Sequence, residues 1–267
     1  MRIQHIISTM YRSEYNFLST MNIKRDVLVV NQADTEKEDF FNLDDNSVKV
    51  ITTTERGLSK SRNMLLNHSA GDILVFGDDD LWYLDGYDKI IEDAYKKYPK
   101  ADIITFRFTQ ELGKETRKQF SKPTKINLFK LSKISSVEIT VKRESIINNQ
   151  IKFNNLLGLG AEFVTGEENE FLAKALKAGL KIIYLPYTIV YLKPDPIDRQ
   201  KWKDGFNEEY FVKKGGAFYA IYRRLFTPFT LAFLLLKKRN AFKNVSICKA
   251  FKWMKQGRKL YKQMENN

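Results

Sequence analysis

With a single cysteine, Cys248, in 267 residues, the chain can form no intrachain disulfide and no cysteine-rich zinc site, which fits a reducing compartment. Histidine is scarce too. His5 and His68 are the only imidazoles, and neither stands in a metal-ligand or catalytic-triad spacing, so both read as structural or surface residues. No glycine-rich loop ending in Lys-Ser or Lys-Thr occurs, and no G-x-G-x-x-G follows the first apolar stretch, which excludes a P-loop enzyme. Long hydrophobic runs are also missing. After Arg2 the amino terminus has only Ile3 to Ile7 before a polar stretch, too short for a signal peptide, and the catalytic body is expected in the cytoplasm. The apolar segment 216–236 carries Arg223 and Arg224, with Pro228 expected to break it. Its charge-free piece, Leu225 to Leu236, is well short of the ~20 residues a spanning helix needs.

What the chain does have is positive charge, and that charge is local. The formal net charge is +13, but residues 201–267 hold 16 Lys and Arg against 4 acids, while the preceding 200 residues hold 29 against 28. A basic tail on a neutral body suits an anionic membrane surface or a nucleic acid, and the apolar content of the tail favours the membrane. A helix expected over 241–264 sets Ile247, Phe251, Met254 and Tyr261 on one side and Lys252, Lys255, Lys259 and Lys262 on another, with Arg258 nearer the apolar stripe. Two readings follow: a helix lying on an anionic bilayer, or one packed on the body with solvated lysines.

The body alternates short apolar strands with helices, which predicts an α/β fold with a mostly parallel sheet flanked by helices. Strands are expected over 3–8, 26–30, 47–52, 73–77, 101–108, 137–141 and 181–185, and helices over 13–21, 57–66, 86–98, 143–149 and 167–179. Residues 109–123 carry no clear pattern, and Pro186, Pro194 and Pro196 mark the expected exit from the body. In such sheets ligands bind beyond the carboxyl ends of the strands, where residues 8–12, 31–35, 53–57 and 77–82 should converge.

Among those loops, Ile73-Leu74-Val75-Phe76-Gly77 empties into three consecutive carboxylates, Asp78, Asp79 and Asp80. Adjacent ionised aspartates repel, so the triplet suits either open solvent or a cation; hard oxygen ligands select Mg²⁺ or Mn²⁺, ions that also hold phosphates. A second acidic pair, Glu167 and Glu168, follows the glycine-punctuated loop 153–163. That pair can simply favour the start of a helix, or it can serve chemistry.

The pieces Gly57-Leu58-Ser59-Lys60-Ser61-Arg62-Asn63, Phe76-Gly77-Asp78-Asp79-Asp80 and Gly166-Glu167-Glu168-Asn169-Glu170-Phe171, in this order and spacing, resemble the family 2 glycosyltransferases. The likeness covers about residues 1–195, and the Gly158-Leu159-Gly160-Ala161 loop ahead of the acidic pair is similar to a subgroup frequent among bacterial enzymes of surface-polysaccharide synthesis. The resemblance implies a GT-A fold over 1–195; the basic, helical region over 196–267 is expected, from its own charge and amphipathic pattern, to be membrane-associated. The resemblance also implies an inverting, metal-dependent hexosyl transfer from a nucleotide sugar, with UDP expected, to a hydroxyl of a lipid-linked glycan, at the inner face of the cell membrane.

By the same resemblance, Asp78 and Asp80 hold Mn²⁺ or Mg²⁺ and the donor, with Asp79 sharing the donor site. Glu168 is the base, or Glu167 if the register slips by one. Thr9, Arg12, Arg62 and Asn63 line the nucleotide pocket. Asn31-Gln32-Ala33-Asp34 departs from the Asp-Asp-Gly-Ser type turn common in the family; Asn31, with a donor and an acceptor, can still meet a pyrimidine edge. The competing class is a basic nucleic-acid-binding protein or metal-dependent nuclease; the long aliphatic side of the tail and the neutral body oppose it, and nucleic acid is not an expected partner.

Overall fold

The computed structural model describes residues 1–110, 120–193, 206–238 and 245–266. Its strands are β1 (Ile3–Met10), β2 (Asp26–Gln32), β3 (Lys37–Leu43), β4 (Asn46–Thr53), β5 (Ile73–Asp78), β6 (Leu81–Tyr83), β7 (Ile103–Thr109), β8 (Thr124–Lys125), β9 (Ile139–Lys142) and β10 (Ile182–Leu192). They form one sheet in the order β3-β4-β2-β1-β5-β9-β7-β10-β6, with β8 beside β10. β4, β2, β1 and β5 are parallel neighbours, and β7 and β10 run the same way beyond the antiparallel β9. The expected parallel arrangement therefore holds for six strands, with β3, β6, β8 and β9 reversed.

The helices are α1 (Leu58–His68), α2 (Tyr87–Lys97), α3 (Arg143–Asn148), α4 (Glu167–Lys177), α5 (Glu208–Tyr222), α6 (Phe226–Lys238) and α7 (Ile247–Glu265). Strand residues alternate between two cores. Ile3, Ile7, Val27, Val29 and Val75 face the layer containing α2, with its Tyr87 and Ile91. Ile6, Leu28, Val30, Leu74 and Phe76 face Leu65 and Leu66 of α1 and Phe171 and Leu172 of α4. Burial on both faces explains why these strands read as unbroken apolar runs rather than as alternating ones.

Several expectations change. Residues 16–21 form a 3-10 helix without a serine cap, and only Ile139–Lys142 of the expected 137–141 strand is extended, after a short 3-10 turn. Pro186 does not end the body: β10 runs through it to Leu192, with a register shift between Tyr184 and Thr188 that accommodates the missing N–H. Pro228 does not break its segment either. It sits in the first turn of α6, where no helix hydrogen bond is lost, and the break comes at Arg223, held at φ +45° between α5 and α6. Pro194, Pro196 and most of 109–123 lie outside the described residues, as does the start of the helix expected from residue 241.

The tail packs on the body. Ala217 and Ala220 of α5 and Tyr261 of α7 share a core with Leu157 and Phe163. The approach is close enough that a Cβ on Gly216 would run into the Phe163 ring, one on Gly215 into the Met254 backbone, and one on Gly257 into the Val212 carbonyl. Met254 and Tyr261, half of the expected lipid-facing stripe, are thus fully buried against protein, and α7 follows the packed reading with its lysines in solvent.

Candidate active site

The carboxyl ends of β1, β2, β4 and β5 meet on one edge, as the alternation required. Across them Asp78 pairs in register with Ser8, Thr9 with Asn31, and Asn31 with Thr52. Ser61 at the start of α1 donates to Ser8 at 2.9 Å, which ties that helix to the same edge.

The three aspartates emerge from this edge. Asp78 is half-buried, 3.3 Å from the Arg62 guanidinium, and burial raises its carboxyl above the usual carboxylate range despite that cation. Asp79 accepts from the Thr9 hydroxyl and from Arg12 at 2.7 Å. Asp80 is exposed at the lip; its backbone carbonyl accepts from Lys193 at the end of β10, whose ammonium binds Thr20 at 2.8 Å.

Across the crevice Gly166, at φ +89°, turns the chain into α4, whose first turn carries Glu167, Glu168 and Glu170 at the positive end of the helix dipole. Glu167 is buried and bonded to Arg62 at 3.1 Å. Arg62, itself only 3% exposed and over the Phe153 ring, therefore joins the two acidic groups, reaching Glu167 across 105 residues of sequence. Glu168 remains half-buried, with Asn169 donating to it at 2.8 Å. Burial first, then the charge of Glu167, pushes its carboxyl up to about 7.

The structure brings Thr9, Arg12, Arg62, Asp78, Asp79, Glu167 and Glu168 together as expected and redefines two residues. Asn63 exchanges hydrogen bonds with the backbone of Phe153 at 2.7 and 2.9 Å and reaches Asn155, so it pins the loop leading to the glutamates instead of lining a nucleotide pocket. Asn31 is fully buried, its amide bonded both ways to the Arg12 backbone, and it shapes the turn that presents Arg12 rather than offering itself to a base. Two cations went unnoticed in the sequence. Arg56, in the loop after β4, lies over the Tyr11 ring and pairs with Asp34, a position that its place at a strand end signals. Lys214 of α5 lies within electrostatic reach of Glu168 and Glu167, and nothing in its local sequence marks it out from a solvated lysine.

Among the described residues no three acidic, histidine or cysteine side chains form a closed metal cage. The donor set still fits a hard divalent cation of the Mg²⁺ or Mn²⁺ kind, because its donors are all oxygen, Asp80 is open to solvent, and such ions take one or two carboxylates with the rest from phosphate and water.

Residues 26–157 match the sequence profile described as Glycosyl transferase family 2. The chain carries a family 2 glycosyltransferase domain. Among solved structures, this glycosyltransferase is similar to S. aureus TarS 1-349. Against the complex with UDP-GlcNAc the TM-score is 0.64 at 16% identity, covering 91% of this chain and 74% of that one. Against TarS 1-349 without a named ligand the TM-score is 0.65 at 16% identity, over 96% and 79%. With UDP it is 0.62 at 17% identity, over 95% and 78%. At such identities the likeness is one of fold. No curated protein matches the chain.

Proposed function

We propose that the glycosyltransferase moves a sugar from a nucleotide-sugar donor to an acceptor hydroxyl by a single inverting displacement, with Glu168 as the base. The observation that carries this reading is the division of labour within the acidic pair: Arg62 engages Glu167, whereas Glu168 stays accessible with a pKa of about 7. A base poised near neutrality takes the acceptor proton as the oxygen attacks the anomeric carbon. The new C–O bond forms as the bond to the donor phosphate breaks, and its electron pair leaves on the nucleoside diphosphate. An α-linked donor then yields a β-glycoside. Asp80 and Asp78 would hold Mn²⁺ or Mg²⁺, which supplies charge stabilisation to the leaving diphosphate when bound. Thr9, Arg12 and Asp79 form the wall beside it. The named ligands of the TarS structures, UDP-GlcNAc and UDP, support a UDP-sugar as the donor to test first.

The experiment is a thermal-shift screen of nucleotide sugars with Mn²⁺, followed by transfer assays on Glu168→Gln. A bound donor raises the melting temperature of both proteins, while transfer by the variant falls by about 10²–10⁴-fold. Wild-type transfer rates in the variant would remove Glu168 from this role.

A lipid-linked glycan at the inner membrane face is the acceptor proposed, with contact made by α6 rather than by the buried stripe of α7. No described helix is long and apolar enough to cross a membrane. On α6, however, Leu235 and Leu236 are 63% and 78% exposed and Leu231 is open beside them, while α7 presents Lys252, Lys255, Lys259 and Lys262 to solvent. Apolar insertion with a basic surround suits anionic lipid. Flotation with phosphatidylglycerol vesicles should be lost in Leu235→Ser/Leu236→Ser; unchanged flotation rejects α6.

A further inference from the structure

We propose that Lys214 is a positioning residue of the transfer site, so that α5 completes the catalytic centre rather than merely anchoring the chain. This rests on the reading of Glu168 as the base.

The geometry starts at Gly166, the residue on which α4 opens. A Cβ there would lie 3.3 Å from the Ala217 methyl and 3.4 Å from the end of Ile221, so α5 crosses directly over the turn that presents Glu167 and Glu168. Residues 214, 217 and 221 are spaced i, i+3, i+7 and share one face of a helix. The face that covers Gly166, the residue just before Glu167, therefore also carries Lys214, one turn earlier. Its ammonium stands 5.7 Å from the centre of the Phe218 ring on the following turn, which steers the side chain. The placement is rigid: the contacts at Gly215, Gly216 and Gly257 leave no room for α5 to shift along α7 or away from Phe163.

The charges around this point come from four elements. Glu167 and Glu168 belong to α4, Arg62 to α1, Lys214 to α5 and Lys237 to α6, with Asp78 of β5 reached through Arg62. Arg62 bonds Glu167, so Glu168 faces the negative charge of its neighbour; among the described residues it has no bonded cation of its own. Arg62 and, after it, Lys214 supply the opposing charge. Burial pulls the Lys214 ammonium below the usual lysine range, and Glu168 then Glu167 act against that pull. The lysine thereby keeps Glu168 ionised through more of the neutral range than burial alone would permit.

The test reads Glu168 itself and needs no turnover. Carboxyl ¹³C titration of glutamate-labelled protein, with the Glu168 signal assigned by its loss in Glu168→Gln, is run on the wild type, Lys214→Met, Lys214→Gln and Lys214→Arg. Removing the cation in Lys214→Met or Lys214→Gln should move the Glu168 midpoint up by about one pH unit, and Lys214→Arg should restore it. Where transfer is measurable, the acidic limb of the kcat/KM profile should move with it. An unmoved midpoint in the neutral variants overturns the proposal, whatever happens to activity. A shift that Lys214→Arg fails to reverse overturns it as well, since a packing defect rather than lost charge would then be at work. If the midpoints move as expected but no nucleotide sugar is ever turned over, the placement of Lys214 stands and the transferase reading of the site fails.

Discussion

The aspartates at the end of β5 and the glutamates at the start of α4 are both runs of adjacent carboxylates touching the same arginine, yet they are built for different tasks. On the aspartate side Asp78 is bonded to Arg62 and Asp79 to Arg12, both half-buried, while Asp80 stands exposed at the lip. On the glutamate side the run goes inward and outward at once: Glu167 is buried on Arg62 and Glu168 faces the crevice with a raised pKa. Identical chemistry is thus divided by surroundings, in the way the proposed roles require: cations and solvent surround the aspartates, and burial raises the pKa of Glu168.

The sharpest way to break this contrast is to remove what the two runs share. Arg62→Met leaves Glu167 buried without its partner and Asp78 without its cation, and should cost about 3–5 kcal/mol in denaturant unfolding. A loss below 1 kcal/mol would mean the two runs do not depend on a common cation. Next in size is Asp80→Ala. It should weaken Mn²⁺-dependent donor binding about tenfold or more, some 1.4 kcal/mol by calorimetry, and leave the Glu168 titration unmoved; equal binding would transfer the metal role to another group.

The smallest effect separates activity from stability. Because the folded-state pKa of Glu168 lies above its ordinary value of 4.5, the native state prefers this acid protonated. Its stabilising contribution is complete below 4.5 and lost as pH rises through about 7. Glu168→Gln should therefore be more stable than the wild type at pH 8, by on the order of 1 kcal/mol, with the advantage vanishing as pH falls toward 4.5. In the same protein transfer should be lost. A variant less stable at pH 8 would show that Glu168 is not held against its own preference.

The parts of this arrangement legible in the sequence are those with local causes. β1, β2 and β5 are apolar on both faces, α1 and α4 follow glycine turns, and Asp78–Asp80 and Glu167–Glu168 stand out by composition alone. What escaped depends on distant neighbours. β3, Lys-Glu-Asp-Phe-Phe-Asn-Leu, is a largely exposed edge strand whose pairing comes from β4 rather than from any pattern of its own. Asn63 and Asn31 look like pocket residues until the backbones they bind are in place. On the apolar stripe of α7, Met254 and Tyr261 are buried against protein, and amphipathicity alone does not distinguish a protein partner from a lipid one.

The Asn63 bridge has one more consequence. Arg62 and Asn63 are consecutive on α1; one holds Asp78 and Glu167, and the other holds the backbone of Phe153, at the start of the loop that delivers those glutamates. Two neighbouring side chains on one helical turn thus fix both ends of that loop. The spacing of the aspartate and glutamate runs is thereby tied to the position of α1, with α5 bracing the turn at Gly166 from the other side.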